Sequence, residues 1–166
     1  LAGLESFQGE TVHAARWDSE IKLEGKRVGV IGTGASAIQI VPAIAERVGA
    51  LKVFQRSAAW VLPRWNRSFT ADEHRRWKES PWRQRLRRWK VYWFMELALP
   101  ALMWFPALLR IPEHIHKRRL HRAIKDPELR RKLTPDYRVG CKRALVSDAY
   151  FPTFARENVE LVSDGI

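Results

Sequence analysis

Gly32-Thr33-Gly34-Ala35-Ser36-Ala37 follows the apolar run Arg27-Val28-Gly29-Val30-Ile31 and precedes Ile38-Gln39-Ile40-Val41. A strand, a glycine turn and the start of a helix in that order constrain the fold more than any other feature of the chain. The first glycine allows the tight turn, the second lets a phosphate approach the backbone, and the small Ala37 lets helix and strand pack closely. The helix N-terminus then offers free N–H groups and a positive dipole end to an anion. Gly32, Thr33, Gly34, Ala35, Ser36 and Ala37 are therefore the candidate pyrophosphate cradle. The pattern predicts a helix from about Ala35 to Val48, ending near Gly49, and a second strand at Leu51-Lys52-Val53-Phe54.

Folds that bind NAD carry a carboxylate at the end of that second strand for the ribose hydroxyls. Here the chain reads Gln55-Arg56-Ser57. A guanidinium pairs with a 2′-phosphate, where a carboxylate would repel it. Arg56 thus argues for NADP(H) over NAD(H); a solvated surface arginine is the plainer alternative.

The fold class that follows is α/β, a Rossmann-like NADP-binding domain with a parallel sheet and a helical insertion. Two clear strands lie at about 27–31 and 51–54, and weaker ones near 143–146 and 159–162. A nucleotide-binding half needs about three parallel strands with crossover helices, so the sheet is expected to be incomplete. Both ends of the chain read as cut from something longer. The expected organisation is a linker over 1–24, the first part of the NADP domain over 25–62, the insertion over 63–134 and a return to the NADP domain over 135–166.

The formal charge of +12 fits anionic partners: a dinucleotide, an acidic membrane surface or nucleic acid. The single cysteine, Cys141, excludes an internal disulfide framework and suits a reducing, cytoplasmic compartment. It reads as a packing residue and not as a nucleophile. No metal site is expected.

Residues 64–90 hold ten Lys/Arg and three Asp/Glu, interleaved with Trp65, Trp77, Trp82 and Trp89. Val91 to Leu109 is then nineteen residues with one charge, Glu96. That length reaches the lower limit for a membrane span, but Pro100, Pro106 and Glu96 count against one. A helix lining a substrate tunnel and a segment lying in a membrane surface both remain open. Arginine and tryptophan could also stack and neutralise nucleic acid, although no recognised binding motif appears. A basic module of that kind, and a plain NADP-binding module without catalysis, are the readings from other classes.

Upstream, Phe7-Gln8-Gly9-Glu10-Thr11-Val12-His13-Ala14-Ala15-Arg16-Trp17-Asp18 contains a histidine that spacing alone leaves as a hydrogen-bonded structural residue. The segment resembles the F-x-G-x-x-x-H-x-x-x-W-[P/D] fingerprint of type I Baeyer–Villiger monooxygenases, a branch of the class B flavoprotein monooxygenases. Phe54-Gln55-Arg56-Ser57 is similar to the family's F-Q-R-[T/S] segment. Pro135-Asp136-Tyr137-Arg138-Val139-Gly140-Cys141-Lys142-Arg143 resembles its P-x-Y-P-x-G-x-K-R stretch, with Arg138 where proline is usual, a change that alters the loop's rigidity. Asp148-Ala149-Tyr150-Phe151 and Arg156-Glu157-Asn158-Val159-Glu160-Leu161-Val162 resemble further family segments. The likeness covers both ends of the chain and little of the insertion.

This resemblance implies FAD and NADP as cofactors and a small apolar organic substrate with O2 as reactants. It implies no nucleic acid, and a peripheral membrane contact through 91–109 stays compatible with it. One oxygen atom of O2 would enter the substrate, a ketone in the Baeyer–Villiger case, by way of a flavin C4a-peroxide; oxidation at nitrogen or sulfur is the alternative. Arg56, Ser57 and Lys142 would hold the 2′-phosphate. Arg143 would be the catalytic arginine, although outside the resemblance it is one surface arginine among many. His13, the second catalytic candidate, would act from the inter-domain linker on the NADP-bound state and not in proton transfer. The family's FAD-binding glycine turn is expected upstream of Leu1, in an FAD domain outside this chain.

Overall fold

A computed structural model describes residues 3–18 and 20–163; Leu1, Ala2, Ser19 and 164–166, at the ends and in the linker of the expected organisation, lie outside the described residues. Strand β1 (Arg27–Ile31) leads through the glycine turn into α1 (Ala37–Ile44) and back into β2 (Ala50–Phe54). β1 and β2 run parallel, Arg27 opposite Ala50 and Ile31 opposite Phe54. On its other side β2 pairs in parallel with β5 (Val159–Val162), giving the order β1-β2-β5. The expected helix begins two residues later than its sequence limits and ends sooner. Arg47 donates to the Ile44 carbonyl three residues back, which tightens the last turn out of regular helix. Asn158 then closes that end, its amide donating to the carbonyls of Ala45 (2.9 Å) and Val48 (3.0 Å).

β2 is the centre of the sheet, and the alternation of its residues shows why. Leu51 and Val53 are fully buried while Lys52 between them reaches solvent and pairs with Glu160. Each such aliphatic side chain contributes about 1.5–3 kcal/mol by leaving water. Val41, Ile38 and Ile44 of α1 meet them from one side, with Tyr150 and Phe151 of the short α6 (Tyr150–Thr153) and Phe154 just after it in the same cluster. The outer edge of β1 carries no strand among the described residues, and Ile31 is 55% exposed there.

The weaker strand expected near 143–146 does form, as β4 (Leu145–Val146), but it does not join the main sheet. It pairs in parallel with β3 (Val61–Leu62), a two-residue strand too short to show any alternation in the sequence. Between the two sheet pieces runs a helical stretch of α2 (Ala71–Glu79), α3 (Pro81–Trp104), α4 (Arg110–Ala123) and α5 (Pro127–Lys132). α4 carries His116 and Leu120 into the main core, and Ile124 and Leu133 follow it there. Among the described residues, helices α2 and α3 do not contribute to that core. Thr70 and Glu73 form a reciprocal capping box at the start of α2, and an Arg67 fork on Glu73 draws its carboxyl down to a pKa of about 2. Among the described residues no helix is long and apolar enough to cross a membrane.

Candidate functional site

The site begins where β1 ends. Gly32 takes φ +99°, a left-handed conformation that disfavours a side chain, so glycine here follows from the turn itself. Its N–H donates to the Phe54 carbonyl (2.9 Å), tying the turn to the end of β2. A Cβ added at Gly32 or Gly34 would meet no atom within 4 Å. The glycines therefore leave a space that no described group of the protein fills, over the start of α1, where the N–H groups of Ala35, Ser36 and Ala37 have no partner among the described residues while Ile38 donates to the Gly34 carbonyl (3.0 Å). That is the shape and polarity an anionic phosphate requires.

Thr33 links the turn to the second half of the site: its hydroxyl donates to the Ser57 carbonyl (3.1 Å). Across 85 positions of sequence, the Lys142 ammonium donates to the Ser57 Oγ at 3.1 Å, and its Nζ lies 4.4 Å from the centroid of the Tyr137 ring. Arg56 is exposed beside them, and among the described residues it has no acidic partner. A hydroxyl, a lysine and a free guanidinium thus border the open glycine turn. Together they match a phosphomonoester in charge and donor count, which a carboxylate at the same place would not.

Three bonds hold the two chain segments in this register, and sequence reasoning attached no role to them. The Tyr137 hydroxyl donates to the Ala58 carbonyl (2.8 Å), and the Trp60 indole donates back to the Tyr137 carbonyl (2.9 Å). Burial raises the Tyr137 pKa, keeping the hydroxyl a donor. Gln55, buried, reaches the Lys132 carbonyl (2.7 Å) with its amide. Its identity between Phe54 and Arg56 follows: a side-chain amide there pins the return segment. The Leu145 N–H then donates to the Trp60 carbonyl (2.8 Å). Lys142 and Arg143 thus lie between two anchored points.

Arg143 is exposed, next to Lys142. Cys141 is exposed as well, so it does not pack in the core; its N–H closes a turn on Arg138, where Gly140 takes φ +100°. His13 caps a short 3-10 turn, its Nδ1 accepting from the Ala15 N–H (3.3 Å). Among the described residues no hydrogen bond joins His13 to the glycine turn. The segment 7–18 is exposed throughout and meets the sheet region through the Glu10–Lys26 ion pair (3.4 Å). Inside it, a Cβ on Gly9 would come within 2.5 Å of the Phe7 ring, which explains the aromatic–glycine spacing. Among the described residues no cluster could hold a metal ion.

A family model described as flavin-binding monooxygenase-like matches residues 1–100. A Baeyer-Villiger monooxygenase of Streptomyces coelicolor is 47% identical over 166 residues, which is 100% of this chain and 32% of that protein. One of Pseudomonas aeruginosa is 45% identical, with the same coverage. The chain spans about a third of the length of these curated relatives. Among solved structures, an oxidized steroid monooxygenase bound to NADP superposes with a TM-score of 0.81 at 32% identity, covering 97% of this chain and 37% of that one. OTEMO in complex with FAD and NADP superposes with a TM-score of 0.77 at 27% identity, covering 97% and 38%.

Proposed function

The chain belongs to the flavin-binding monooxygenase-like family, and we propose that it is the NADP-binding part of an NADPH- and FAD-dependent monooxygenase acting on a small apolar organic substrate and O2. A ketone is the favoured substrate class, because Trp17-Asp18 closes a Baeyer–Villiger type of fingerprint and the relatives of Streptomyces coelicolor and Pseudomonas aeruginosa carry that name. The observation that carries the cofactor assignment is the convergence of Lys142 on Ser57 beside Arg56 and the open turn.

In this reading residues 25–62 and 135–166 form the NADP domain, 63–134 the insertion and 1–24 the linker. Gly32, Thr33, Gly34, Ala35, Ser36 and Ala37, with the N-terminus of α1, hold the pyrophosphate. Arg56, Ser57 and Lys142 hold the 2′-phosphate. Arg143 presents a permanent cation to negative charge that develops on oxygen, a task for which a guanidinium suits because it does not deprotonate. His13 shapes the linker in the NADP-bound state. When bound, NADPH supplies the hydride and FAD the oxygen chemistry. The single cysteine and the need for NADPH support a cytoplasmic location, with no nucleic-acid partner, and the exposed apolar stretch within 91–109 supports contact with a membrane surface.

Arg56→Ala tests the cofactor assignment. A charged hydrogen-bonded contact is worth about 1.5–3 kcal/mol, so the KM for NADPH should rise about 10- to 150-fold while the KM for NADH stays within about twofold. An equal effect on both cofactors would remove the 2′-phosphate role. The family reaction itself requires that the full-length protein purify yellow with bound FAD; a colourless protein that takes up no FAD overturns it.

A further inference from the structure

We propose that α3 enters one leaflet of an anionic membrane at a steep tilt, with Val91 to Phe105 among the acyl chains and Arg83 to Lys90 at the headgroups. The argument rests on how polarity is distributed along this helix. An amphipathic helix lying flat on a membrane segregates its residues by face. Here they segregate along the axis. Arg83, Arg85, Arg87, Arg88 and Lys90 crowd the first half, and from Val91 to Phe105 Glu96 is the single charge.

In the apolar half successive residues point about 100° apart. Tyr92, Trp93, Phe94 and Met95 are nonetheless 56%, 45%, 65% and 59% exposed, so apolar surface faces outward all around the helix. Met103, Trp104 and Phe105 at its far end are exposed too. A protein groove covers one side of a helix, whereas a hydrocarbon phase covers every side at once. The basic half makes the same case. Among the described residues none of its five cations has an acidic partner, and Arg87 stacks instead on Phe69 and Trp77. Five unpaired cations around one stretch of helix match a sheet of anionic headgroups.

The step between the halves, at Lys90–Val91, is built for an interface. Trp89, Tyr92 and Trp93 flank it on one face, with Trp93 centred 5.9 Å from Trp89 and 5.6 Å from Tyr92, and such amphipathic rings favour headgroup depth. A groove of about 420 Å³ straddles the same step, walled by Phe69 and Trp77 of the α2 region and by Arg87, Arg88, Val91 and Tyr92. It offers cations at one end and apolar surface at the other, the polarity of a phospholipid. Depth follows from length. Residues 91–104 rise about 21 Å as helix, more than the roughly 15 Å of hydrocarbon in one leaflet and less than the ~30 Å of both, so α3 dips at a tilt and does not cross. Pro106–Leu109 then turns the chain, and Arg110 begins α4 on its way back to the core. Glu96 lies about 9 Å beyond Lys90, near enough for its carboxyl to reach the headgroup layer.

The test is vesicle flotation of the full-length, cofactor-loaded protein, which reads out independently of any reaction. The protein should float with phosphatidylglycerol-containing vesicles and at least tenfold less with pure phosphatidylcholine. Brominated acyl chains should quench its tryptophan fluorescence. The double variant Arg85→Gln/Arg88→Gln should weaken binding about twentyfold, and Trp93→Ser/Phe94→Ser on the order of a hundredfold, with NADPH oxidation unchanged in both. If the rest of the protein covers α3 instead, neither vesicle type will carry the protein and the serine variant will lose FAD or thermal stability. Either of those results, or binding without quenching, overturns the proposal.

Discussion

Arg143→Ala should cut substrate oxygenation by about a hundred- to a thousandfold, the usual cost of removing one preorganised charge from a developing oxyanion, while NADPH oxidation continues near its normal rate. The selectivity of that loss is the point. Arg143 makes no ion pair among the described residues, and the contacts that hold its loop belong to its neighbours: Tyr137 to Ala58, Trp60 to Tyr137, Leu145 to Trp60 and Lys142 to Ser57. Truncating Arg143 leaves all four in place, so the cofactor cradle should persist. Arg143→Lys keeps the charge but loses the planar fork, and should recover part of the activity. The measurement is product formed per NADPH consumed. Wild type should couple the two closely, and the alanine variant should consume NADPH with little product. If both rates fall together, or the KM for NADPH rises as it does for Arg56→Ala, Arg143 belongs to the cofactor cradle and has no separate role in oxygen transfer.

The glycine turn and the two strands around it were legible because their signals are local: a run of apolar residues, a φ that only glycine takes easily and a small residue at the start of a helix. Arg56 was legible by charge alone. Lys142 and Arg143 lie in a loop with no periodicity, and composition hides them among thirty Lys and Arg; only the motif drew attention to them, and only the fold brings Lys142 to Ser57. β3 went unread because two residues cannot show alternation. The latch of Gln55, Trp60 and Tyr137 went unread because each bond joins a side chain to a backbone carbonyl 77 or 79 positions away, a relation with no local signature. In α3 the reverse holds. Its composition left a tunnel-lining helix and a membrane-surface segment both open, and only the exposure of Tyr92 through Met95 reveals that its second half is apolar all round.

The deepest unread residue is His116, and its substitution should have the largest effect on stability. It is fully buried on α4, edge-on to Trp60 (4.7 Å) and Phe151 (5.2 Å), and its Nδ1 accepts from the Val61 N–H at 3.0 Å. That bond fixes the neutral tautomer with its proton on Nε2 and joins α4 to β3, hence to the segment that positions Ser57 and Tyr137. Burial, reinforced by the charges of Arg119 and Lys117, pushes its pKa down from 6.5 to about 4. A histidine with a lowered folded pKa contributes stability that is complete above its unfolded value and is lost as pH falls from about 6.5 through about 4. Between pH 7.5 and 5 the loss should reach about 2 kcal/mol. His116→Phe retains the ring but leaves the Val61 N–H without an acceptor, costing about 1–3 kcal/mol near neutral pH. It also removes the titration, so its stability should be about 2 kcal/mol less sensitive to that acid step than wild type. His116→Ala adds a cavity and should cost about 3 kcal/mol or more. Amide exchange at Val61, followed by mass spectrometry at both pH values, reads the contact directly. Equal acid sensitivity of wild type and His116→Phe would show that His116 is not the titrating latch.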